Sequence, residues 1–351
     1  MEFYNLGKVP WKESQLLYHA LAALDREALV FLSPATPYVC IGYHQDIEAE
    51  VDLDYCKSRH IPVFRREVGG GAVYLDGDQL FFQMIIAPNS SRVPAHKGAF
   101  YRKFLQPVIN TYRRIGIPVQ YKPINDLIVN QRKISGTGVG EIENSLVFVG
   151  NLILDFEYDT MVRILKLSDE KLRDKVYKTM RDNLTTIRRE LGETSSRQWD
   201  EQRLNNIMAE EFQKILDPFV AKKTIDNEVV AKISELNAKM LNPAWLYQKG
   251  RFYMGNEVKI RAGITVKRKE HKATGGLIRV LFELHDNQLK NISISGDFFC
   301  YPHDALHRFI AMLEDTYLDD LSTVVDEFYS DPTIETPGIG VNDWLSVFKD
   351  Q

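Results

Sequence analysis

Three consecutive glycines, Gly69 to Gly71, lie between the arginine pair Arg65-Arg66 and an aromatic strand in the run RREVGGGAVYLDGDQLFF, residues 65–82, and no other stretch limits the fold as sharply. Glycine triplets are costly to order, because a residue without a Cβ loses the most backbone freedom on folding. A chain retains one where its backbone must take positive φ or approach another group closely, and where amides can turn toward phosphate or carboxylate oxygens. Arg65 and Arg66 could then supply charge. A tight hairpin between two strands uses the same residues equally well. The lysine and hydroxyl residue that close a Walker A loop are missing, and the glycine spacing does not fit the dinucleotide fingerprint. Anion binding at this loop requires a nucleotide or anhydride site of another kind.

A second stretch, INDLIVNQRKISGTGVG, residues 124–140, runs from a strand into a turn and then presents Lys133 ahead of Ser135, Gly136, Gly138 and Gly140. Lysine beside open backbone makes an anion clamp. Its compact ammonium can neutralise a carboxylate that attacks an α-phosphate and can hold the acyl-phosphate that results. A lone lysine is more often a solvated hairpin residue. Asn125 and Asp126 add information, since a carboxylate just inside a strand can help to hold Mg²⁺, which keeps waters and takes few protein ligands. Their other role is a turn or a cap.

Around these segments the pattern is that of a mixed α+β sheet domain. Leu17, Ala20, Leu21 and Leu24 follow Pro10 at helical spacing, which predicts a helix over residues 11–25. Strands are expected at Ala28 to Leu32, Tyr38 to Gly42, Val63 to Arg66, Gly71 to Leu75, Leu80 to Ile86, Asp126 to Val129 and Leu146 to Asp155, with helices over 97–115 and 159–167. Residues 197–240 turn polar and helix-prone and end at Leu241-Asn242-Pro243, where proline disfavours helix in the residue before it. Two domains are therefore expected, 1–241 and 242–351. In the second, Lys259 to Val266, Ile278 to His285 and Leu289 to Ser295 read as antiparallel strands, joined through Gly275-Gly276 and Asp286-Asn287. Leu306, Phe309, Ile310 and Leu313 then make a closing amphipathic helix.

Composition narrows the function. Hydrophobic residues are 44% of the 351 and charged ones 26%, and no run of about 18 apolar residues could cross a bilayer, so no membrane partner is expected. Met1 to Lys12 lacks the basic-then-apolar order of a secretion signal, which makes the cytoplasm the expected address. A net charge of −4 gives no support for a nucleic-acid partner. Cys40, Cys56 and Cys300, without CxxC spacing, suit neither a disulfide framework nor a zinc site and are expected to be buried or incidental.

Taken in order, the arginine pair, the glycine triplet with Ala72-Val73-Tyr74, the Asn125-Asp126 pair and the Lys133-Ile134-Ser135-Gly136 turn resemble the lipoate-protein ligase family, within the group of biotin and lipoate ligases and octanoyltransferases. The preceding strand VCIGYHQ, residues 39–45, fits as well, and the likeness covers most of residues 10–190. FYMGNEVKIRAGITV, residues 252–266, and ISISGDFF, residues 292–299, resemble more loosely the family's small accessory domain. The resemblance implies a biotin/lipoate ligase-like fold: a mixed β-sheet catalytic domain flanked by helices, with a small α+β C-terminal accessory domain. It also implies that Arg65, Gly69, Gly70, Gly71, Ala72 and Val73 contact the nucleotide and acyl-adenylate, and that Lys133 is the catalytic residue, binding carboxylate and phosphate. Asn125, Ser135 and Gly136 would complete substrate binding, and Asp126 would serve the phosphates or Mg²⁺. The implied reaction activates lipoate with ATP to lipoyl-AMP and passes the lipoyl group to a lysine of a lipoyl-acceptor protein.

The chain departs from the family's pattern in three places. Val68 and Leu75 stand where a small hydroxyl residue and a histidine are usual, and SLVFVGNLILDF, residues 145–156, stands where a His-His-Gly-Thr run is common. These changes bear on the acyl chain and the acceptor. A rival reading, an octanoyl or lipoyl amidotransferase of the same fold, would need a nucleophilic cysteine, and none falls in residues 120–155. A third, from another class, is a non-catalytic lipoyl-binding protein that keeps the pocket without turnover.

Overall fold

The structure, a computed structural model, describes all residues except 217, 249–256, 262–263 and 350–351, with residues 257–261 described in the main chain alone. The residues cluster into two compact units: Met1–Cys40, Asp52–Phe64 and Val73–Asn242 in the first, Ile41–Val51, Arg65–Ala72 and Pro243–Gln351 in the second.

The first unit is built on a six-stranded sheet in the order Thr137–Ile142, Ser145–Ile153, Gln79–Ile86, Ala28–Pro34, Glu2–Val9, Val220–Lys222. Neighbours among the first four strands are antiparallel, whereas Glu2–Val9 joins both of its neighbours in parallel, so the sheet is mixed. Successive side chains of a strand point to opposite faces, which sends Phe82 and Gln83 into different layers. On one face Phe82 meets Phe148 and Phe212, the latter from helix Glu201–Gln213, and Phe148 meets Phe100 from helix Lys97–Phe104. On the other, Gln83 Nε2 donates to Ser14 O at 2.6 Å within helix Trp11–Ala23. Gly150 belongs to the aromatic layer, since a Cβ there would come within 2.4 Å of Phe82 Cζ.

Several elements differ from the sequence expectation. Residues 97–115 form two helices, Lys97–Phe104 and Gln106–Arg114, because Pro107 has no amide with which to continue the first. The polar stretch 197–240 holds Glu201–Gln213 and Asn227–Met240, with the edge strand Val220–Lys222 between them. Strand Glu2–Val9 and helix Glu170–Asn183 were not expected. The first is interrupted by a bulge at Gly7, φ +61°, and the second buries no residue, so neither shows a clean apolar period.

In the second unit, Glu257–Arg261, Ile264–Ala273, Gly276–His285 and Gln288–Gly296 form an antiparallel meander. Asp286 and Asn287, at φ 48° and 69°, make the expected tight turn, whose type I′ geometry needs positive φ at both positions. Lys259 to Val266, expected as one strand, spans two antiparallel strands, and the residues between them, 262–263, lie outside the described ones. Phe282, Phe298, Phe309, Phe328 and Trp344 lie in the core of this unit, to which helices Ala305–Leu313, Leu321–Ser330 and Val341–Phe348 contribute. The sequence pointed to only the first of those helices. Among the described residues no helix is long and apolar enough to cross a membrane.

Candidate functional site

The lysine segment is a β-hairpin rather than a strand followed by an open turn. Asp126–Val129 pairs with Arg132–Ser135 through Asn130 and Gln131, at φ 49° and 64°, again a type I′ geometry. Pairing across the hairpin sets Lys133 beside Ile128 and brings its Nζ to 2.6 Å from Asp126 Oδ1, with roughly a third of each side chain exposed, 38% and 31%. The contact is an ion pair and not an aligned hydrogen bond, for Asp126 Oδ1 has no hydrogen-bond partner. Asn125 is fixed next to it by a reciprocal pair with Thr137: Asn125 Nδ2 donates to Thr137 O, and Thr137 Oγ1 donates to Asn125 O, each at 2.5 Å.

Ser135 and Gly136 are held by Asn151, which the sequence did not single out. Ser135 Oγ donates to Asn151 O at 2.5 Å, and the Gly136 amide donates to Asn151 Oδ1 at 2.9 Å. Asn151 Nδ2 donates in turn to Gln79 Oε1 at 2.7 Å, and Gln79 Nε2 to Tyr74 O at 3.0 Å. The Gly136 amide is thus committed within the protein in this structure. The network ends near Asp76, whose carboxyl is pushed up to about 6 by burial. One unit therefore brings together Asn125, Asp126, Lys133, Ser135 and Gly136: a cation with a carboxylate partner on a partly exposed hairpin, above a turn fixed from below.

The glycine loop belongs to the other unit. Arg65 is fully buried and its guanidinium is directed at main-chain carbonyls: Nη1 donates to Gly42, Tyr43 and Gln45 at 3.2, 2.9 and 2.6 Å, while Nε and Nη2 donate to Leu246 at 3.1 and 2.7 Å. Arg66 Nη2 donates to Gly69 O at 2.8 Å and Gly71 O at 2.9 Å, so it braces the loop across its ends. Gly70 sits at φ +90° with its amide on Phe298 O at 3.1 Å. At Gly42 a Cβ would lie 1.8 Å from Gly70 O, a backbone crossing that only glycine permits. Gly71 is the open position of the triplet, its nearest neighbour being Asp297 Cβ at 3.7 Å from a built Cβ. Ala72 is half-buried, and Val73, in the first unit, is exposed opposite Cys40 in strand Val73–Leu75.

All three cysteines are buried. Burial pushes the Cys56 thiol up to about 11 and the Cys300 thiol up to about 12, away from the thiolate form that a nucleophile requires. No group of three His, Cys, Asp or Glu side chains among the described residues could hold a metal ion.

Residues 8–213, more than half of the chain, match the lipoyl protein ligase A/B catalytic domain. The chain belongs to that family. Lipoate–protein ligase 1 of Staphylococcus aureus is 26% identical over 308 residues, which cover 85% of this chain and 80% of the relative. Among solved structures, the bipartite lipoate protein ligase of Thermoplasma acidophilum, studied with its E2 lipoyl domain, is 23% identical and superposes with a TM-score of 0.61 over 72% of this chain and 98% of that one. A lipoate-protein ligase A bound with ATP is 21% identical, with a TM-score of 0.58 over 70% of this chain and 99% of that one. At these identities the two structures establish the fold, which is the expected mixed sheet with flanking helices.

Proposed function

We propose that the protein is an ATP-dependent lipoate–protein ligase that forms lipoyl-AMP and transfers the lipoyl group to a lysine of a lipoyl-acceptor domain. The observation that carries this reading is Lys133, a positive group held 2.6 Å from Asp126 on a partly exposed hairpin, in a family member whose thiols are buried. Charge on the reacting groups is all anionic at the first step, where a lipoate carboxylate oxygen bonds to the α-phosphorus of ATP and the bond to the β-phosphate breaks, releasing pyrophosphate. A fixed ammonium lowers the cost of bringing these anions together and of the charge that develops as they react. In the second step the neutral amine of the acceptor lysine bonds to the acyl carbon, AMP leaves with the electron pair, and the amine loses its proton to solvent. No covalent intermediate with the protein is needed, so positioning and electrostatics carry the catalysis.

Asn125, Ser135 and Gly136 shape the surroundings of Lys133, and the main chain of Gly69, Gly71, Ala72 and Val73 takes the nucleotide and adenylate, with Gly70, its amide on Phe298 O, setting the turn of the loop that contacts them. Arg65, directed at carbonyls, acts by fixing the glycine loop from within. Asp126 fits Mg²⁺, an ion that binds through one or two carboxylates, waters and substrate phosphates and needs no protein cage. Bound there it would neutralise phosphate charge. Residues 1–241 form the catalytic domain and 242–351 the accessory domain, the substrate is lipoate, the acceptor is a lipoyl domain, and the setting is the cytoplasm.

Intact-mass analysis of a lipoyl domain incubated with the protein, lipoate, ATP and Mg²⁺ tests the proposal. The lipoyl mass increment should need both ATP and lipoate, with AMP and pyrophosphate formed. Modification from an acyl-carrier thioester without ATP, blocked by alkylating the cysteines, would establish the transferase instead, and binding without any turnover would establish the non-catalytic protein.

A further inference from the structure

Helix Glu170–Asn183 runs for 14 residues in the first unit without burying one. Arg173, Val176, Tyr177 and Met180, at helical spacing, are its half-buried side, while Lys171, Lys175 and Lys178, at i, i+4 and i+7, form an exposed stripe. These three lysines, and Lys166 before them, pair with no acidic group among the described residues. Arg181 lies off this stripe, its guanidinium over the Tyr158 and Tyr177 rings at 5.9 Å from each centroid, and the residue that follows Lys178 on the stripe is Asp182. Residues 163–189 contain nine basic and four acidic side chains, a surplus of +5 in a chain whose net charge is −4. Five of these basic and three of these acidic side chains lie on the helix itself, a surplus of +2 there, so the basic field belongs to the segment and is not a consequence of overall composition.

The segment after the helix ties it to Lys133. The Thr185 amide donates to Lys133 O at 2.8 Å, Leu184 bridges Lys133 in parallel, and Leu184 O accepts from Tyr158 Oη at 3.1 Å and Arg189 Nη1 at 3.0 Å. The basic stripe is therefore anchored to the main chain of the residue proposed to hold the reacting carboxylate. We propose that this stripe is the docking surface for the acceptor protein, and that it takes an acidic face of that protein beside the lysine to be modified. The inference rests on the ligase reading for the identity of its partner. Its recognition is electrostatic. Unpaired lysines on an exposed helix speed encounter and fix orientation without a large apolar contact, and their effect is screened by salt, whose Debye length is about 10 Å at 0.1 M.

The test separates binding from chemistry. Direct titration with the E2 lipoyl domain of Thermoplasma acidophilum compares the unaltered chain with K171E/K175E/K178E, and lipoate-dependent ATP–pyrophosphate exchange is measured without any acceptor. Charge reversal should weaken domain binding by about tenfold or more and flatten its salt dependence, while leaving exchange unchanged. K171Q/K175Q/K178Q should weaken it less, and equal melting curves for all three proteins would show that the exposed helix still folds. No binding to the unaltered chain, or equal binding to the reversed variant, would overturn the docking surface even if exchange is present. Absent exchange with reversal-sensitive binding would instead sink the ligase reading and leave the docking surface standing. A 20-nucleotide RNA and phosphatidylserine vesicles are run in parallel. Reversal that affects only these would assign the stripe to a polyanion and overturn the proposal.

Discussion

Lys133 and Arg132 adjoin on one strand, yet the hairpin sends them to different carboxylates. Lys133 meets Asp126, whereas Arg132 Nη2 donates to Glu190 Oε1 at 2.8 Å, where Thr185 Oγ1 also donates at 2.6 Å. Their alanine variants should therefore fail in different ways. Lys133→Ala loses a partly exposed pair, worth about 0–1 kcal/mol of stability, but removes a charge whose absence costs about two to three orders of magnitude in rate. Arg132→Ala leaves Glu190, only 10% exposed, without its cation, at about 1–3 kcal/mol of stability, with little change in rate. Melting curves and single-turnover adenylation distinguish them, and equal rate losses would mean that Lys133 is one charge in a diffuse basic surface. The sequence marked Lys133 because a lysine beside glycine-rich open backbone makes an anion clamp and because its turn resembles the family's. It could not mark Asn151, whose importance comes from meeting Gly136 and Gln79 at once, and a single asparagine in an apolar strand carries no sign of either contact.

Between strands Val73–Leu75 and Gln79–Ile86 the chain turns through Asp76, Gly77 and Asp78, with the Asp78 amide on Asp76 Oδ1 at 3.1 Å and the Gln79 amide on Asp76 O at 3.2 Å. Burial raises the Asp76 carboxyl from 3.8 to about 6 in the folded protein. The unfolded chain then releases its proton first, so this group favours folding below about pH 4, and that contribution is lost as pH rises to 6. The loss is on the order of 2–3 kcal/mol at neutral pH. Asp76→Asn keeps the accepting oxygen and has no proton to release, so it should be more stable than the parent above pH 6 and equal to it near pH 4. Urea midpoints at both pH values check this, and an unchanged difference between them would show that Asp76 ionises freely. At this scale the sequence was informative where an apolar run buries a continuous face, as Gln79–Ile86 does with all eight residues buried, but it missed the glycine-rich strand Thr137–Ile142. It was silent where an element buries nothing, as in Glu170–Asn183, or where a helix finds its partners only across the fold, as Trp344 does against Phe298 and Phe309.

Across the whole molecule, the residues that shape the glycine loop come from far down the chain. A protein ended after Leu241 lacks the Leu246 carbonyl that takes two donors of Arg65 and the Phe298 carbonyl that takes the Gly70 amide. It should lose lipoate-dependent ATP–pyrophosphate exchange, and full exchange in that truncation would show that the loop needs nothing beyond residue 241. No local pattern could have revealed this dependence, since the glycine run is the same whether the loop is free or braced by distant carbonyls. The same separation sets a schedule during synthesis. Leu246 follows Arg65 by 181 residues, which at about 5–20 residues per second leaves the guanidinium without that carbonyl for roughly 10 to 35 seconds on the ribosome. A nascent chain of this protein therefore carries a charged group destined for complete burial long before the main chain that satisfies it has been made.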